Sequence, residues 1–575
     1  MDLVQAIRLY INEMIRSAGP GMKVLLMDKE TTSIVSCVYA QSEVMQKEVY
    51  LFERLDSGAP RDPIRHLKCV AFLRPTQENV DLLAQELRQP RYGQYYIYFS
   101  NVISKSDVKV LAEADEQEVV REIQEFYSDF VAVHSHLFGL NLSQAYQGSQ
   151  WAPGAALRRV TQGLASVLLA LRKNPVVRYQ NSSELCRRLA ESLKQLTNKE
   201  SALFDFPRRS DIPPLLLIID RRDDAVTPLL NQWTYQAMVH ELLGIQNNRV
   251  SLENVPGVSQ DMREVVLNAL QDEFYAKNIY ANFGEIGQAI KELMEEFQRK
   301  AQTHQKVESI ADMKAFVENY PQFKKMSGAV AKHVTVVGEL SRLVALYNLL
   351  EISEAEQQLA CHDEHSQSLQ AIKRLLAHEK TSDLDATRLV MLYALRYETH
   401  TNNDIAGLTE ALRKRGVPEK YCRGVNDLLK FGGIKARSSD LFGRANNPIS
   451  ITKRLMKGLK GVENIYTQHQ PYLAEILDQL AKGKLRETAY PFSGNPQPMP
   501  RIQDCIVFIV GGVTYEESFA VFNFNRMNPG VRVVLGGTAV HNCRSFIEEV
   551  IYASQGMGQS LGSRSVAASS NRQPL

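Results

Sequence analysis

The chain has 575 residues, 44% of them hydrophobic and 23% charged, which excludes a disordered or collagen-like polymer. At about 100–200 residues per domain, that length predicts about three to five domains. Lys and Arg total 67 against 65 Asp and Glu, a net charge of +2, and no long basic run occurs, so nucleic acid is not an expected partner.

The chain opens with Val4, Ile7, Ile11 and Met14 at helical spacing. This start lacks the charged residues and unbroken apolar core of a signal peptide. Residues 24–28, VLLMD, predict a buried strand, and further strands are expected at 49–52, 69–73 and 95–99. Helical spacing runs over Gln77–Arg88, with Thr76 as its cap, and over residues 115–127. Alternating strands and helices with apolar strands predict a parallel sheet covered on both faces, an α/β domain over residues 1–137.

The next strand signal is LLLIID at 215–220, followed by the polar turn Arg221-Arg222-Asp223-Asp224. After Trp233 the pattern is mostly helical, as at 286–299, 326–350, 369–378 and 385–397. Strands return at 505–510 and 531–535, each followed by a glycine pair. Two or three isolated strands are marginal in water. The economical solution joins them to 215–220 in one sheet. The second α/β domain is then split, 138–245 and 486–575, around a mostly helical domain at 246–485. From Gly556 the chain is rich in Ser, Gly, Gln and Ala without Asp or Glu, the composition of a flexible end.

Seven cysteines are scattered without a C-x-x-C pair. This argues against a disulfide framework and fits a reducing, cytoplasmic compartment. The most apolar stretches, 213–219, 163–171 and 505–513, fall short of the roughly 18–20 residues that span a bilayer. Membrane association is expected only through partners.

Catalytic motifs lack their required context. After the first strand comes Lys29-Glu30-Thr31-Thr32-Ser33, with no glycine to cradle a pyrophosphate. Gly511-Gly512 leads into Val513-Thr514-Tyr515-Glu516-Glu517, not the Gly-Lys-Ser/Thr of a phosphate loop. It reads as a tight turn with Thr514 capping a helix. Gly558-Gln559-Ser560-Leu561-Gly562 matches a nucleophile elbow formally, but no strand precedes it and no histidine follows. Cys361-His362-Asp363-Glu364-His365 is too short a run to wrap one ion tetrahedrally. Asp220, Asp223 and Asp224 offer paired carboxylates, and Arg221 and Arg222 are expected to hold them as ion pairs within the turn. No enzyme activity, metal or cofactor is expected.

Three segments carry a resemblance. LLLIIDRRDDAVTPLLNQWTYQAMVHELL at 215–243 resembles a signature of the SM (Sec/Munc) proteins, the syntaxin-binding factors of vesicle fusion. DCIVFIVGGVTYEESFAV with VVLGGTAVHNCRSFIEEV, at 504–521 and 533–550, resembles their second signature, and GMKVLLMDKETTSIVS at 21–36 their first strand. KEVYLFERLD and YIYFSNVISKSDVKVLAEADEQEVV are most similar to the vacuolar-protein-sorting branch, which serves trans-Golgi and endosomal traffic.

The resemblance implies an arch of three domains, the second interrupted by a helical third. It implies no catalysis and no cofactor. The implied partners are a trans-Golgi or endosomal syntaxin-type SNARE, the SNARE complex with its vesicle SNARE, and a Rab effector. The implied location is cytoplasmic and peripheral on Golgi and endosomal membranes. Leu111 and Ile123 match a groove that takes the N-terminal peptide of a syntaxin, although by periodicity alone both fit a helix face in the core. Asp28 and Glu53 match inner-face contacts with a SNARE bundle. Pro321 matches the break in a helical hairpin, and Val334 a vesicle-SNARE contact beyond it. Ser33 and Ala40 stand where neuronal relatives carry charge, which argues against a tight grip on a closed syntaxin through that patch.

Overall fold

The computed structural model describes residues 1–58, 60–154, 156–207, 210–305, 310–442, 465–494 and 501–555, with the backbone alone over 302–305 and 310–322. Helix α1 (Leu3–Ser17) starts where the Asp2 carboxylate accepts the Gln5 N–H, and buries Leu3, Ile7, Ile11 and Met14. Strand β1 (Lys23–Met27) is buried throughout. It pairs in parallel with β2 (Val49–Arg54) and β3 (Ile64–Leu73). β4 (Tyr92–Phe99) and β5 (Val120–Glu125) extend the sheet, in the order β2-β1-β3-β4-β5. This is a doubly wound order. Helices α2 (Lys29–Val38) and α3 (Gln41–Met45) lie between β1 and β2, and α4 (Gln77–Arg88) and α5 (Lys105–Ala114) flank β4 in sequence. Thr76 caps α4, as expected.

One expected helix is a strand. Over 115–127, the Asp115 carboxylate accepts the N–H groups of Val119 and Val120, and Glu118 takes a positive φ of 52°. The chain thereby turns, and Val120–Glu125 pairs along β4. Pairing at the sheet edge outweighs a helical spacing that buries little.

The second sheet gathers strands from across the chain. These are β6 (Val131–His134), β7 (Leu137–Gly139), β10 (Val176–Tyr179), β11 (Leu215–Asp220), β14 (Asp504–Val510) and β16 (Arg532–Gly537). Two short hairpins lie between, β8 (Tyr146–Gln147) with β9 (Gln150–Trp151) and β12 (Arg249–Ser251) with β13 (Glu264–Val266). β15 (Val513–Thr514) pairs with β17 (Val540–His541). The order is β10-β11-β14-β16-β7-β6, parallel except for β6 on β7. The late strands therefore sit mid-sheet beside β11. The boundary expected at residue 137 is corrected: β6 and β7 already belong to the second sheet, so the change of domain precedes Val131. Their short antiparallel hairpin carries too little apolar sequence to announce itself.

The intervening region is mostly helical, and the helix Asp383–Tyr397 runs through its centre with nearly every residue buried. The helix Tyr472–Ala481 packs Leu473, Ile476 and Leu477 onto the core shared with β11 and β14. The expected break at Pro321 is absent. One helix runs unbroken over Ile310–Leu346, and it packs against the helix Phe283–Gln305 with Phe297 and Phe323 stacked 5.3 Å apart. A proline removes one ladder hydrogen bond, and the rest of a long helix carries the backbone through. Among the described residues, no helix is long and apolar enough to cross a membrane.

Candidate partner-binding surfaces

The expected peptide groove falls at β5, the outer strand of the first sheet, and at α5. Leu111 is fully buried beneath α5 among Leu73, Leu83 and Phe99. It is a core residue and presents no surface, which corrects the groove assignment at that position. Ile123 is half-buried on β5, opposite Ile97. The exposed apolar side chains nearby in sequence are Val102 and Val110, each 36% exposed. Their exposure is the local signal missed in sequence, because one valine in a polar helix looks incidental.

Asp28 follows β1 at the switch point of the sheet, where open α/β folds bind ligands. Here that crevice is filled from within. One Asp28 oxygen caps α2 by accepting the Thr31 N–H at 2.8 Å. The other accepts the Arg74 N–H at 2.7 Å and the Asn79 amide at 2.8 Å. At 2% exposure, Asp28 ties three segments together and offers no free oxygen, which corrects its expected contact role. Glu53, on β2, accepts the Tyr92 hydroxyl and lies 3.6 Å from Arg61. It remains partly exposed.

Val334 is half-buried on the long helix Ile310–Leu346. The preceding residue, His333, anchors that helix. Its ring nitrogens meet the Tyr235 hydroxyl and the Asp272 carboxylate, each at 2.8 Å. Val334 thus stands where the long helix is fastened to the body. The side chain of Pro321 lies outside the described residues.

The two signatures lock together. Arg221, 1% exposed, reaches from the first signature to Glu517 of the second and donates to the Gly512 carbonyl at 3.2 Å. The expected pairing within the turn holds for Arg222 with Asp220, at 2.6 Å, while Asp223 instead binds Ser438. Burial raises the pKa of Asp220, but Arg222 and Ser183 outweigh it and hold the carboxyl below its ordinary value. The sequence shows arginines in one motif and glutamates in the other. Only the sheet brings them together.

Gly511 and Gly512 take positive φ values of 91° and 98°. Thr514 caps the following helix in a box with Glu517. The turn is therefore built for the strand-to-helix crossing. The run Cys361–His365 lies between two helices, with His362 against Gln468 and His365 against the Tyr393 hydroxyl. Among the described residues, no three metal-ligating side chains converge. The Gly558–Gly562 match lies outside the described residues.

Comparison with known proteins accords with this architecture. The Sec1 family model matches residues 23–549. Vacuolar protein sorting-associated protein 45 of Rattus norvegicus is 63% identical over 552 residues, 96% of each chain, and that of Homo sapiens is 63% identical over the same share. A solved structure, the SM protein Vps45 in complex with Qa SNARE Tlg2 (1-310), superposes with a TM-score of 0.89 at 46% identity, covering 97% of this chain and 99% of that one. This chain belongs to the Sec1 family of SM proteins.

Proposed function

We propose that this protein is a SNARE-binding regulator of vesicle docking and fusion in trans-Golgi and endosomal traffic. The observation that carries the reading is the likeness of nearly the whole chain to a Vps45 solved with a Qa SNARE. The protein is not an enzyme and uses no cofactor. It binds a syntaxin-type SNARE and promotes assembly of the SNARE complex, including the vesicle SNARE. It acts on the cytoplasmic side of Golgi and endosomal membranes, held there through its partners, with a Rab effector among them.

The mechanism is differential binding. A protein that grips an aligned SNARE intermediate more tightly than the separate chains lowers the assembly barrier by that difference alone. Several patches share the grip in this reading. The surface around Val110 and Ile123 takes the N-terminal peptide of the syntaxin, by an apolar anchor in a slot beside an edge strand. Glu53 and Val334, both partly accessible, contact the SNARE helices, and the long helix through Pro321 presents the vesicle SNARE.

Titration calorimetry of the purified chain with the N-terminal peptide of a trans-Golgi syntaxin tests the reading, alongside SNARE assembly rates with and without the chain. Saturable binding and faster assembly are expected. Peptide binding without any change in assembly rate leaves only a passive tether. No binding of peptide or full-length syntaxin overturns the reading.

A further inference from the structure

A cavity of about 790 Å³ opens where four distant stretches meet: the start of α1, residues 133–136, residues 267–281, and the helix Tyr515–Met527. None of Leu111, Ile123, Asp28, Glu53, Pro321 and Val334 lines it. It is therefore separate from the surfaces already discussed. Its volume lies within the roughly 300–1,000 Å³ typical of sites for compact organic groups.

One wall is aromatic. The Tyr280 ring lies 5.1 Å from Phe519 and 4.8 Å from Phe522, and His136 lies 6.1 Å from Phe522. The wall is held from behind, where the Tyr280 hydroxyl, His136 and Ser518 meet within 2.9–3.1 Å. Phe522 is nonetheless 38% exposed, so part of that ring is open to a ligand.

Charge of both signs lines the cavity. Arg8 pairs with Glu43, and Lys277 with Glu273. Asp2 is engaged as the cap of α1, and Glu285 accepts the Asn282 N–H. Burial keeps both His134 and His136 neutral, His136 being pushed down to about 3. Arg526 differs: its guanidinium lies 6.0 Å from the Phe522 ring, and no carboxylate pairs with it among the described residues. An exposed aromatic wall thus stands beside a guanidinium that no carboxylate pairs with among the described residues.

We propose that this cavity binds an aromatic group bearing a carboxylate, its ring stacked against Phe522 and Tyr280 and its carboxylate on Arg526. Two sources carry that chemistry: a free aromatic acid, or an aromatic residue next to Asp or Glu in a partner's segment.

The test titrates the full chain, by ligand-observed NMR, with indole-3-acetate, indole-3-acetamide, tryptamine and acetyl-Asp-Trp-Asp-amide. Indole-3-acetate is expected to bind saturably, about fivefold or more tighter than the amide and tighter still than the cation, because a carboxylate on guanidinium is charge-assisted. Arg526→Ala should remove the preference for acid over amide. Phe522→Ala should weaken every probe that binds. Both side chains are exposed, so unchanged melting temperatures verify that the variants are folded. Tighter binding of the tripeptide than of indole-3-acetate assigns the site to a partner's segment, and the reverse order assigns it to a free acid. Equal affinity for acid, amide and amine, absence of saturable binding, or binding unaltered in both variants overturns the proposal.

Discussion

Arg388 and Glu241 lie 147 residues apart in the chain and form an ion pair whose side chains are 2% and 5% exposed. The pair joins the helical region to the second α/β domain. Arg388 also lies 3.3 Å from Asp385 and 3.6 Å from Glu356, so one guanidinium faces three buried carboxyl groups. Removing it leaves Glu241, its nearest partner, buried without its counter-charge. Arg388→Met is therefore expected to destabilise the fold by about 3–5 kcal/mol. Urea unfolding followed by circular dichroism reads the loss, and an unchanged midpoint would refute this account of the junction.

Glu356 shares that site. Burial is the larger influence on it, only partly offset by Arg388, and pushes its carboxyl up from an ordinary 4.5 to about 8. Between those values the folded chain holds a proton that the unfolded chain has released. Stability from this group therefore falls as pH rises from about 4.5 to about 8. Glu356→Gln mimics the neutral acid and removes the dependence. Denaturant midpoints at several pH values should show the variant gaining on the parent chain as pH increases, and a constant offset would contradict the shift.

Leu111 and Val110 are neighbours on α5 with opposite surroundings. Leu111→Arg buries a charge with no partner, and a loss of peptide binding by that variant would report a damaged domain. Leu111→Ala should cost about 2–5 kcal/mol through the cavity it leaves. Val110→Arg, at a solvent-facing position, should leave the melting temperature almost unchanged while weakening the syntaxin peptide. Calorimetry and thermal melting of the three variants separate the two effects. Tight peptide binding by Val110→Arg would remove this face from the proposed surface.

Gly511 sits where a Cβ would come within 2.2 Å of the Tyr146 hydroxyl, at a φ of 91° that side chains resist. That hydroxyl lies 2.9 Å from an Asp220 carboxylate oxygen and 2.8 Å from the Val510 carbonyl, its one proton shared between the two acceptors. Gly511→Ala should thus disturb both the turn and the buried Asp220 site, costing about 1–3 kcal/mol. Tyr146→Phe in the same background should recover part of the loss, because it removes the atom in the way. Equal stability of Gly511→Ala and the parent chain would show that the turn relaxes freely.

Much of the architecture was legible in the chain itself. Residues 215–220 and 505–510 announce buried strands by unbroken apolar runs, and their need for sheet partners predicts the split second domain. The glycine pair at 511–512 and Thr514 mark a turn and a cap through local backbone chemistry. Short or edge elements were not legible. β5 hides in a helical spacing because its pairing partner is remote, and β6 and β7 are too short to show a period.

The strand runs, the helix caps and the family signatures are written locally, because each depends on neighbours within a few residues, and the near-neutral charge is a sum over the chain. Long-range packing sets the rest: Arg221 answers Glu517, Arg388 gathers three carboxyl groups, Leu111 and Asp28 are sealed while Val110 and Phe522 are partly open, and a cavity forms beside Arg526. Burial and ion pairing depend on which distant segments the sheets bring together, and that long-range placement cannot be read from local spacing.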